Sequence, residues 1–178
     1  MQEIEEIKKE IISLAENHEL YKNILKTKGN IVISRGSENP KFLFIGEAPG
    51  FTENKIGSPF VGRSGKILDR WIKDKITNYS IINTIPIIPL NEEGKIRPPS
   101  KKEIEYFKPA TNRLIKAMNP EYIICIGKSA SNFMNLDFKL SEWEGNIGFI
   151  YHPAYYLRNG KDGMEDFERL MKNISQYN

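Results

Sequence analysis

Tyr122-Ile123-Ile124-Cys125-Ile126, followed by Gly127-Lys128-Ser129-Ala130, is the stretch on which the fold turns. Five apolar residues in a row leave no polar face, which suits a parallel strand covered on both sides. Gly127 ends the run, and Lys128 onward starts a helix. Working outward, the same pattern recurs. Lys41-Phe42-Leu43-Phe44-Ile45 follows Pro40 and runs into Gly46, Ser80-Ile81-Ile82 ends at Asn83, and Asn146 to Tyr151 forms a fourth run. Helical periods lie between them. Ile67, Leu68, Trp71 and Ile72 follow a cap at Ser64 or Gly65; a capping box of Ser100 and Glu103 opens a helix to about Met118; a last helix covers Met164 to Ile174. Ile4, Ile7 and Ile11, continuing to Ile24 and Leu25, predict one or two amphipathic helices over residues 2–28, ending at Gly29. Segments 46–65 and 86–99 carry the Gly and Pro of loops. Strands alternating with helices predict parallel βαβ units, hence an α/β fold. Ligands of such sheets bind beyond the carboxyl ends of the strands. Here those ends are Gly46–Gly50, Asn83-Thr84, Gly127–Ser129 and His152–Ala154.

A chain of 178 residues predicts one domain, 1–178, with the helical segment 1–28 packed on it. Hydrophobic residues at 39% and aromatics at 11% predict a packed core rather than disorder. A net charge of +3 is compatible with a polyanionic partner without being histone-like. The single cysteine, Cys125, excludes an internal disulfide and any Cys-rich zinc or iron–sulfur site. No apolar run approaches the roughly 18–20 residues of a membrane span. The acidic, amphipathic N-terminus is unlike a signal peptide. A monomer in the cytoplasm, associated with the nucleoid, is expected.

Gly65-Lys66 and Gly127-Lys128-Ser129 resemble the end of a phosphate-binding loop. The full pattern needs a glycine where Phe60 and Tyr122 stand, so nucleotide hydrolysis is disfavoured. Gly127-Lys128-Ser129 keeps the backbone N–H groups of a general phosphate site. His152 directly follows an apolar strand, and Pro153 holds it out of helical geometry, which favours a functional role over packing. His18 has no partner at ligand spacing and reads as a surface or packing residue. Glu47 lies between small residues that let a ligand approach the backbone. Phe60, in a Gly/Pro loop, is either a core anchor or a stacking platform for a planar base. Asn83 offers a donor and an acceptor side by side, matching a pyrimidine edge. The segment Tyr151 to Asn159, read as loop, either carries Tyr156 and Leu157 to wedge into a base stack and Arg158 to hold a phosphate, or simply packs onto the last helix.

Together these segments resemble the uracil-DNA glycosylase superfamily, and within it the family 4 enzymes. Gly46-Glu47-Ala48-Pro49-Gly50, Glu53-Asn54 and Gly57 through Gly65 resemble the family's first motif, with Asn54 where Asp is usual. Asn83 matches its base-reading Asn. His152-Pro153-Ala154 with Leu157-Arg158-Asn159 matches its second signature. The resemblance implies a three-layer α/β/α sandwich around a four-stranded parallel sheet of order 2-1-3-4. It implies hydrolysis of the N-glycosidic bond of a deaminated base, uracil first, in DNA, by base flipping. Phe60 would then stack on the base, Asn83 read its N3/O4 edge, and Ala48 and Gly50 contact it through backbone. His152 would stabilise the charge developing on O2, and Glu47 orient a water and stabilise the sugar cation. Arg63, Gly127, Lys128, Ser129, Tyr156, Leu157 and Arg158 would face the DNA.

One departure is large. The family usually holds a [4Fe–4S] cluster on four cysteines, and Ala15, His18, Ile87 and Tyr106 stand at those places here. No cofactor is therefore expected, and apolar packing of Ile87 and Tyr106 against the N-terminal helices is expected instead. The rival reading is a non-catalytic DNA-binding or adaptor module on the same fold. A third is a small nucleotide-binding protein, which the incomplete phosphate loop disfavours.

Overall fold

A computed structural model describes residues 2–137 and 139–174. In chain order the elements are α1 (Gln2–Glu16), α2 (Tyr21–Thr27), β1 (Ser34–Gly36), β2 (Phe42–Gly46), α3 (Phe51–Ile56), α4 (Arg63–Ile72) and β3 (Tyr79–Asn83). Then come α5 (Lys101–Met118), β4 (Tyr122–Ile126), α6 (Lys128–Phe133), β5 (Trp143–Glu144), β6 (Ile147–Ile150), α7 (Pro153–Arg158) and α8 (Met164–Ile174).

The sheet order is β1-β3-β2-β4-β6-β5. The inner strands β3, β2, β4 and β6 are mutually parallel and lie in the expected 2-1-3-4 order. The sheet is nevertheless six-stranded and mixed, not four-stranded and parallel: β1 and β5 add antiparallel edges. Strands of two or three residues carry no alternation to read, so only pairing reveals them. The Ser80 hydroxyl of β3 donates to the Arg35 carbonyl of β1, and Trp143 of β5 donates its indole N–H to the Leu170 carbonyl. The first ties β1 to β3 beyond their backbone pairing, and the second ties β5 to α8.

Alternation along the inner strands divides the core. Phe42, Phe44, Ile81 and Ile124 face Leu68 and Trp71 of α4 and Phe167 of α8. Leu43, Ile45, Ile82 and Cys125 face Ile4, Ile7 and Ile11 of α1, with Leu114 of α5 and Phe133 of α6. Helices therefore cover both faces, which explains why β2 and β4 are apolar throughout.

Several sequence-based boundaries move. α2 ends at Lys28, which takes the left-handed cap (φ 51°) in place of Gly29. α4 is capped by Gly62, earlier in the chain than Ser64 or Gly65. The 46–65 segment contains α3, and the expected wedge loop 151–159 contains α7. His152 caps α7 with Pro153 at its first position, a pairing suited to a helix start.

Candidate active site

The carboxyl ends of β2, β3 and β6 open into a cleft of about 310 Å³ whose lining includes Glu47, Ala48, Gly50, Phe60, Asn83 and His152. Sheet register accounts for part of this. Gly46 pairs with Asn83 across β2 and β3, so the β2 exit and the Asn side chain emerge together.

Gly46 is a requirement of packing. A Cβ there would lie 2.3 Å from Phe60 Cε2 and 2.6 Å from Asn83 Oδ1. Phe60 itself is buried and sits at a positive φ of 53°. Its backbone is held from outside: its carbonyl accepts from Arg35, and Gly65 leaves it room, since a Cβ at Gly65 would stand 1.8 Å from that carbonyl. The Glu53 carboxylate accepts from the N–H groups of Val61 and Gly62 at 3.2 and 2.9 Å. A strained conformation that neighbours over-determine in this way belongs to a positioned side chain.

Asn83 Oδ1 is buried without a hydrogen-bond partner, although the residue is only 6% exposed. Buried acceptors are ordinarily satisfied, so this one awaits a donor. The His152 ring lies 5.7 Å from the Phe60 ring, centroid to centroid. Its Nδ1 accepts from the Ala154 N–H at 3.1 Å, which leaves the proton of the neutral ring on Nε2. Burial, with Arg158 nearby, pushes the His152 pKa down to about 4. The imidazole is neutral at physiological pH and keeps one N–H to donate.

The Glu47 carboxylate accepts from the Ser129 hydroxyl. Its backbone carbonyl accepts from the Thr84 hydroxyl and N–H at 2.6 and 3.1 Å. Gly127 is buried, has φ 89°, and closely approaches His152, where a Cβ would lie 3.3 Å from the His152 Cβ. It shapes the site and offers no surface to DNA. Tyr156 is likewise placed in the core: it is 2% exposed, stands edge-on to Trp71 and donates its hydroxyl to Asp166. Of the two readings of this segment, Tyr156 follows packing onto the last helix rather than the DNA wedge, because α7 turns its ring inward. Leu157 is half-buried, whereas Arg63, Lys128 and Arg158 are exposed.

Sequence reasoning missed Arg97. It lines the cleft from the segment read as irregular, and its guanidinium grips Glu103 through both terminal nitrogens at 2.9 and 2.6 Å. Glu103 is buried, and it completes the predicted capping box with Ser100. That box was the one signal pointing to Arg97, since a buried box carboxylate needs a cation. Ile96, half exposed, also reaches the cleft, from a short antiparallel bridge with Leu90.

Ala15, His18, Ile87 and Tyr106 come together as an apolar and aromatic satellite of the core. Ala15 and Ile87 are fully buried with Leu20, Ile24 and Phe107. The His18 ring stands 4.6 Å from that of Tyr106, whose hydroxyl donates to the Leu14 carbonyl. Cys125 is in β4, and burial pushes its thiol up to about 12. Fully packed methyl groups and no thiolate do not fit an iron–sulfur cluster.

The fold and this site define a class. Residues 33–175 match the Uracil DNA glycosylase superfamily, and the chain belongs to that superfamily. Within it, the chain is similar to the type-4 uracil-DNA glycosylase of Saccharolobus solfataricus, 33% identical over 84% of this chain and 79% of the relative. It is similar also to those of Sulfurisphaera tokodaii (30%; 96% and 84%) and Archaeoglobus fulgidus (29%; 99% and 94%).

Proposed function

We propose that the protein is a monofunctional uracil-DNA glycosylase. It flips a deaminated base, uracil first, out of DNA, hydrolyses the N-glycosidic bond and leaves an abasic site. The observation that carries this reading is the orphaned Asn83 Oδ1 in a cleft shared with Phe60 and a neutral His152. Uracil presents an N3–H donor to that oxygen. Cytosine presents an acceptor at N3 and would leave both groups unpaired, a mismatch that sites built on hydrogen bonds reject strongly. Phe60 supplies the stacking surface, and the N–H groups near Ala48 and Gly50 approach the base from the β2 exit.

In the reaction, water oxygen bonds to C1′ and the N1–C1′ bond breaks, its electron pair leaving on the base. His152 Nε2–H donates to O2 as negative charge grows there, and no proton needs to move to the base. Glu47 orients the water, accepts its proton on the way to solvent, and stabilises the sugar cation. Arg63 begins the helix behind the Glu53-held loop, Lys128 follows Gly127, and Arg158 ends α7. These exposed cations hold the phosphates, with half-buried Leu157 beside them. The protein works as one domain, as a monomer, near the nucleoid, and without a cluster. The experiment is base release from an oligonucleotide carrying one uracil, read as alkali-labile strands. Release is expected; salt-sensitive DNA binding with no release from uracil, hypoxanthine or xanthine would replace the enzyme with a binding module.

A further inference from the structure

Ser129 was expected at a phosphate, but the geometry gives it another role. We infer that Ser129 is a positioning residue for the Glu47 carboxylate, an inference that rests on the glycosylase reading. A serine hydroxyl has one proton to donate. Here that proton is committed to Glu47 Oε2, and what remains on the oxygen is lone pairs. Lone pairs repel a phosphate oxygen, so Ser129 in this state is a poor phosphate ligand.

Glu47 needs such a partner. It follows β2 directly, in a segment of small residues, and its carboxylate stands at the cleft. Thr84 pins its backbone carbonyl with two hydrogen bonds, which fixes the main chain but leaves the side-chain torsions free. Ser129, half-buried on the second residue of α6, adds a side-chain hydrogen bond that selects an orientation. It reaches across from the end of β4 to the end of β2, neighbouring strands of the sheet. With Oε2 held, Oε1 is the oxygen left for the water. A carboxylate held by backbone and side chain together loses little freedom on reaching the transition state, which is where such positioning raises a rate.

The experiment compares wild-type protein with Ser129→Ala, Ser129→Thr and Ser129→Val on a single-uracil oligonucleotide. Affinity is measured separately on an oligonucleotide bearing an uncleavable abasic-site analogue, over a range of salt. Ser129→Ala is expected to lower kcat by roughly 10- to 100-fold, the effect of losing one hydrogen bond to a charged group. KM, affinity and salt slope stay as in the wild type. Thr and Val have the same shape, so Ser129→Thr restoring kcat while Ser129→Val does not isolates the hydroxyl from any effect on folding. Weakened affinity with a salt slope reduced by about one and kcat unchanged would make Ser129 a phosphate ligand and overturn the inference. Equal kcat for Ser129→Thr and Ser129→Val also overturns it, while leaving the glycosylase reading intact. A wild-type protein that releases no base removes both.

Discussion

The backbone N–H of Ala154 donates to Nδ1 of His152 at 3.1 Å, and this single contact decides the chemistry of the ring. It occupies the nitrogen lone pair, leaves the proton on Nε2, and is made because His152 caps α7. Together with burial it makes the residue a neutral donor rather than an acid.

His152→Ala removes that donor. The expected loss in kcat is about 100- to 1000-fold, the range for one oxyanion-type donor. Single-turnover base release measures it, and a loss below about tenfold would remove His152 from the reaction.

The same burial gives a pH signature in stability. The pKa of His152 falls from its ordinary 6.5 to about 4 on folding. Between those values the unfolded chain binds more protons than the folded one. Stability therefore rises as pH increases through that window, is flat from this source above it, and is lost as pH falls toward 4. Urea unfolding at about pH 4.5 and about pH 7 should show a smaller difference for His152→Gln than for wild type. An identical difference would place a charged or solvated imidazole at this position.

Asn83→Ala should cost about 10- to 100-fold in kcat/KM for uracil release, as expected for loss of a base-reading hydrogen bond. Non-specific DNA affinity should not change, because Asn83 is buried in the cleft. Release at the wild-type rate would detach the orphaned Oδ1 from base recognition.

Gly46→Ala places a methyl group against Phe60 and Asn83 at once. Overpacking of this kind costs about 1–3 kcal/mol. Activity should fall further than stability does, because the displaced atoms are those proposed to hold the base. Chemical denaturation and base release on the same preparation separate the two effects.

Arg97→Met leaves the Glu103 carboxylate buried without its cation. The hydrogen bonds and charge of Arg97 hold the Glu103 pKa below its ordinary value, so the pair stabilises the fold above the unfolded carboxylate pKa and is lost as pH falls. The expected cost at neutral pH is about 2–4 kcal/mol, below that of a fully buried pair because the Arg97 side chain is 33% exposed. Denaturant midpoints at neutral pH measure it, and Arg97→Met with Glu103→Gln together should lose less than Arg97→Met alone.

Much of the fold was legible. The four inner strands, the α5 capping box and the span of α8 all carry local signals: uninterrupted apolar runs, Ser100 with Glu103, and helical spacing. The edge strands β1 and β5 carry none, because two or three residues pair only where a neighbour presents an open edge. In the site, Glu47, Phe60, Asn83 and His152 were readable because they stand at strand ends or in Gly/Pro loops. Arg97 was not, since its value lies in a partner six residues away on a helix. Tyr156 and Gly127 looked like DNA contacts in a linear string and are turned inward by α7 and by the closeness of His152.

By itself the sequence determined the alternation of strands and helices, the polar chemistry at each strand end, and the lack of the thiols a cluster would need. Those are properties of local pattern and residue type. Tertiary structure alone decided that Ala15 and Ile87 are buried in one cluster and that the His18 and Tyr106 rings meet beside it. It decided that Asn83 has an oxygen without a donor, and that the Ser129 proton belongs to Glu47. The physical reason is that a hydrogen bond or a buried contact joins residues far apart in the chain. Whether it is made depends on where the sheet register and the caps place them, which no single segment contains.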